Sequence, residues 1–282
     1  MNGTPPGILT STLTGALAST FTGAATEAAL LEALPALAFG AVLLLSRLGA
    51  AAMILPGLGE ADVPASVRLA FALALIPLLL PVLAPVLPTA PDSAADLIRL
   101  LALEIATGLW IGGLARLLAM ALAVALQAGA SLLGLSAILV PDAALGSGAS
   151  ALSRLGTLAT AVMVLSTGLY AFPLRTLTES YALMPPGSPW PAAEAAGEMA
   201  EAGGAMLALA LRLAGPFVLA AVTINLAMAL VARIAPSIQV YFVAAPGQIV
   251  VGLALLALLG PSLLGSFHQA LQAGWSTLPG LR

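Results

Sequence analysis

No cysteine occurs in the 282 residues, which excludes disulfides, thiolate metal sites and thiol nucleophiles from this chain. Lysine is missing as well, so all nine cations are arginine. A need for planar, permanently charged, bidentate groups would explain this. A nucleotide bias that also enriches Ala, Gly and Pro explains it more simply. One histidine, His268, leaves little room for metal chemistry. Charge of either sign is scarce: 7% of the residues are charged, against about 25% in an ordinary soluble domain.

What fills the gap is apolar. The chain is 61% hydrophobic, with a mean hydropathy of +1.09. Its apolar runs repeatedly reach the roughly 20 residues that a helix needs to cross the hydrocarbon layer. Their Leu/Ala/Gly texture lacks the alternation of barrel strands. Spanning helices, which satisfy their own backbone groups, are the architecture left. The expectation is an all-α polytopic membrane protein of about six long, bent helices, predicted over 30–55, 67–87, 97–128, 152–173, 204–232 and 238–267. The start, "MNGTPPGILTSTLTGALAST", has no basic residue and no compact apolar core, and reads as a polar lead-in over 1–29 rather than a signal peptide.

Several runs are interrupted. Pro77, Pro81, Pro85 and Pro88 punctuate the second, each removing a backbone donor and bending the helix. The third is long enough for a span plus a short further element, since six glycines and serines lie between Gly129 and Ser147. "RTLTESYALMPPGSPWPAAEAAGEMAEAGG", from Arg175, reads as the one long hydrophilic connection. An even number of spans puts both termini on one side. With the N-terminus outside, Arg68, Arg154 and Arg233 fall inside and Arg99, Arg175 and Arg282 outside, so the arginine tally is a tie.

Glu104, Gly108, Gly112 and Arg116 follow one another at i to i+4 steps in "LEIATGLWIGGLAR". They form a shallow glycine groove where a neighbouring helix can come close. Glu104 and Arg116 are about 18 Å apart along the axis, so each needs a partner elsewhere. A proton or substrate path would use such residues, but a packing contact between helices or subunits is the preferred reading. Arg47 and Arg154 are expected to snorkel from helix ends. In "INLAMALVARIAPS", Arg233 and Pro236 mark a hairpin tip at the cytoplasmic face. Asn225, about 12 Å deeper, is expected to bond a neighbouring helix or subunit.

Enzyme signatures fail. "GASLLGLS" has the glycine spacing of a phosphate loop without its lysine. The serines of "GSGAS" have no local base to activate them. No catalytic, metal or cofactor site is expected, nor a nucleic-acid partner. A secondary transporter with a polar midplane site remains as the rival function, though the related halves with matching broken helices that often mark such proteins are not apparent.

The order Arg47, Pro56, Gly59, Pro64, Arg68, then "EIATGLWIGGLA", "AGASLLGLSAILVPD", "SYALMPPG" and "INLAMALVARIAPSIQVYFVAAP" resembles FliR. That is the FliR/SctT family of type III export-gate subunits, and the resemblance covers about 47–261. The Asn225-Leu226 pair before Arg233 favours the flagellar branch over the virulence-type homologues. The resemblance implies a non-enzymatic pore subunit that assembles with FliP, FliQ and FlhB-like membrane subunits. It implies passage of unfolded flagellar proteins across the bacterial inner membrane at the flagellar basal body. It also implies a single membrane domain with a FliP-like part (30–203), a FliQ-like hairpin (204–267) and a tail (268–282). By the same resemblance, Gly134, Leu135, Ser136, Ala137, Ile138, Leu139, Val140, Pro141 and Asp142 form a pore plug.

Overall fold

The computed structural model describes residues 25–134, 151–234 and 240–278. Among them there are α-helices, one 3-10 turn and no strand. In chain order they are α1 (Ala25–Ala52), α2 (Ala65–Leu83) with its 3-10 extension (Ala84–Val86), α3 (Ala94–Ala119), α4 (Ala121–Leu132), α5 (Ala151–Ser166), α6 (Ala171–Leu183), α7 (Ala192–Ile234) and α8 (Val240–Trp275). Among the described residues, five stretches are long and apolar enough to cross a membrane, and a sixth if α5 and α6 count as one broken span. The chain is an all-α integral membrane protein.

The sequence marks the breaks more reliably than the ends. Pro64, extended at φ −57° and ψ 144°, precedes α2. Pro77 and Pro81 lie inside that helix, and it tightens into the 3-10 turn at Pro85. The predicted third run divides at Met120, whose N–H is shared between the carbonyls of Arg116 and Leu117. The predicted single run 152–173 is instead two helices bent by 70°. Gly168, at φ +77°, supplies the left-handed residue between them, a conformation costly for any residue with a Cβ.

The largest correction concerns the hydrophilic connection. α6 continues to Leu183 and α7 begins at Ala192, so the loop is short. Its prolines at 185, 186, 189 and 191 stop one helix and start the next. "AAEAAGEMAEA" is polar but made of strong helix formers, and it forms the first turns of a 43-residue helix. Low hydropathy there marks a polar stretch of helix, not a loop.

The chain divides into two compact units. In the first (1–115, 170–199 and 277–282), α1 packs on α2, and a Cβ on Gly40 would stand 3.0 Å from Leu80. Its core includes Leu43, Leu44, Leu48, Ile111, Leu177 and Tyr181. In the second (116–169 and 200–276), α4 packs on α5, where a Cβ on Gly156 would meet the Ala123 backbone at 2.9 Å. Phe217 covers Gly129 there, and Phe267, Leu271 and Trp275 are buried on α8.

Candidate functional site

Arg47 does not snorkel. It is 1% exposed, at the heart of the first unit, and every face of its guanidinium is occupied. Nε donates to Glu104 Oε2 at 2.8 Å and Nη2 to Glu104 Oε1 at 2.9 Å, a fork-to-fork pair of the strong bidentate kind. Nη2 also donates to the Met184 carbonyl at 3.0 Å, and Nη1 to Ser180 Oγ at 2.9 Å. Ser180 in turn donates to the Leu177 carbonyl at 2.7 Å. The guanidinium lies 4.0 Å from the Tyr181 ring centroid, within cation-π range.

Four elements of the chain meet at this one charge: α1 through Arg47, α3 through Glu104, α6 through Ser180 and Tyr181, and the following loop through Met184. The loop is fixed again at Trp190, whose ring meets Trp110 of α3 edge-on at 5.8 Å. Chemically the pair is self-contained. Both charges are 1% exposed and neutralise each other, so Glu104 has no free face with which to bind a solute.

The glycines of the α3 groove sit beside this pair. A Cβ on Gly108 would fall on the Arg47 carbonyl oxygen, and one on Gly112 would come within 2.8 Å of Ile54. The close approach is between α3 and α1 of the same chain, and it brings the two helices near enough for Arg47 to reach Glu104. Arg116, next in the row, belongs to the second unit and takes part in an interaction within the chain.

The other predicted site residues are not gathered here. Asn225 and Arg233 are exposed on α7. Pro236 lies outside the described residues, as do Leu135–Asp142 of the plug; Gly134 alone is described, at φ +70°. Among the described residues, no group of three or more His, Asp or Glu side chains gathers to hold a metal. Sequence reasoning missed the role of Arg47. The available signal was an acid at 104 that needed a cation, with Arg47 isolated in an apolar run.

The spans differ sharply in how much of them the chain itself covers. The α3–α4 stretch is 61% buried, whereas those of α7 and α8 are 17% and 11% buried. Leu219, Val222 and Leu226 on α7 are 60–69% exposed, and Val250 and Leu258 on α8 66% and 76%. With these apolar residues α7 exposes the amide of Asn225.

Two comparisons bear on this arrangement. The family of bacterial export proteins, family 1, matches residues 38–274. The flagellar biosynthetic protein FliR of Caulobacter vibrioides is 29% identical over 218 residues, which cover 77% of this chain and 87% of that protein.

Proposed function

Since the chain belongs to the bacterial export proteins, family 1, we propose that it is a non-enzymatic pore subunit of a flagellar type III export gate. In this reading it joins FliP-, FliQ- and FlhB-like subunits in the bacterial inner membrane, at the flagellar basal body, and passes unfolded flagellar proteins. Its part over 30–203 is FliP-like and its part over 204–267 FliQ-like. The observation that carries the proposal is the exposure of α7 and α8. Two long apolar helices that the chain itself scarcely covers, one bearing Asn225 in the middle of an apolar stretch, suit protein neighbours better than lipid. An amide in hydrocarbon is costly without a partner, and a neighbouring helix supplies one.

The transporter reading needs Glu104 at a polar midplane site. Glu104 is instead consumed in the buried pair with Arg47, which weakens that alternative. Asn225→Leu tests the proposal: it is expected to reduce recovery of the chain with small membrane proteins from detergent-solubilised membranes. Recovery equal to wild type would remove the assembly role of Asn225.

A further inference from the structure

The second unit is short of negative charge. Its cations are Arg116, Arg154, Arg212 and Arg233, and its carboxylates are Asp142, outside the described residues, and Glu201. Arg116 and Arg154 take part in interactions within the chain. Arg212 is exposed, and no hydrogen bond or ion pair reaches it among the described residues. Glu201 is 11 positions earlier on the same helix, about 16 Å along the axis, too far to neutralise it.

Arg212 belongs to a definite stripe. At about 100° per residue, positions 212, 215, 219, 226 and 230 share one side of α7. Leu219, Leu226 and Leu230 on that side are 69%, 62% and 55% exposed, whereas Leu213, Ala214, Phe217, Ala221 and Met228, on the opposite side, are all buried. One turn from Arg212 the stripe holds Gly215, where an added Cβ would meet nothing within 4 Å. The stripe thus combines an apolar surface, a notch for close backbone approach and one uncompensated cation.

Resting on the assembly reading above, we propose that this stripe docks a membrane helix of a partner protein that presents an aspartate or glutamate level with Arg212. The partner's carboxylate takes the guanidinium, and its backbone closes on Gly215. A phospholipid phosphate offers the same anionic chemistry, since Arg212 and Arg233 are 21 positions, about 31 Å, apart, close to the hydrocarbon thickness. A lipid, however, does not use the notch at Gly215, which suits the close approach of a partner backbone. This favours protein.

The experiment is purification of the complex from native membranes with the full-length chain carrying a photo-crosslinking residue at Leu219, with Arg212 or with Arg212→Leu. The expected result is a crosslink to an identified membrane peptide with a carboxylate within one turn of the crosslinked position. Arg212→Leu should lower recovery of that partner about tenfold or more, because it strands the partner's charge. Arg212→Glu combined with replacement of that carboxylate by Arg should restore recovery. Since Arg212 makes no bond within the described chain, the Arg212→Leu protein purified alone should elute and melt like wild type. Crosslinks to phospholipid only, with unchanged or improved recovery for Arg212→Leu, overturn the inference and leave the export-gate reading standing. Failure of the wild-type chain to recover any multi-protein complex overturns both.

Discussion

Arg47 keeps its charge inside an apolar bundle because Glu104 takes two of its N–H groups, while Ser180 and the Met184 carbonyl take others. Removing one member of such a pair is worse than removing both, since it leaves the other buried and uncompensated. Glu104→Gln is therefore expected to cost on the order of 3–5 kcal/mol, read as a lower melting temperature in detergent. The double variant Arg47→Leu with Glu104→Leu should melt above the single one. Equal melting of wild type and Glu104→Gln would show that the pair does not hold α1 to α3. Glu104 was legible in the sequence as an acid that needed a distant partner. The identity of the partner was not, because the 57 positions between them are bridged only by tertiary packing, and an arginine near a helix end looks the same whether it snorkels or turns inward.

Helix positions can be graded by what a single methyl would meet. Gly108→Ala places its Cβ on the Arg47 backbone and should destabilise by about 1–3 kcal/mol through overpacking. Gly197→Ala, on α7, meets nothing within 4 Å and should be neutral or stabilise by up to about 1 kcal/mol. Comparison of the two melting temperatures checks this, and a Gly108→Ala protein as stable as Gly197→Ala would contradict the α1–α3 contact. Gly168→Ala forces a Cβ into a left-handed conformation, at a cost of about 1–2 kcal/mol. No change in its melting temperature would argue against the sharp bend between α5 and α6. Proline and glycine make these breaks legible, whereas helix ends in polar sequence leave no such mark. Hydropathy separates lipid from water but not helix from loop, so "AAEAAGEMAEA" reads as a connection by hydropathy although it is helical in the fold.

For the whole molecule, the composition decided the membrane class, and the glycine, proline and charge pattern pointed to neighbours of protein rather than lipid. What composition does not contain is which surfaces those neighbours cover. In the fold, that question falls on α7 and α8, mostly exposed, while the charged pair at Arg47 is closed to solvent and to solute. The proposed role of this chain is that of one subunit in an export assembly. The most direct measurement is purification of the full-length tagged chain from its own host's membranes in mild detergent, with identification and quantification of whatever comes with it. The expected result is a large complex in which one copy of this chain is accompanied by several copies of small membrane proteins. A lone chain, or a homodimer that binds a small solute, would contradict it.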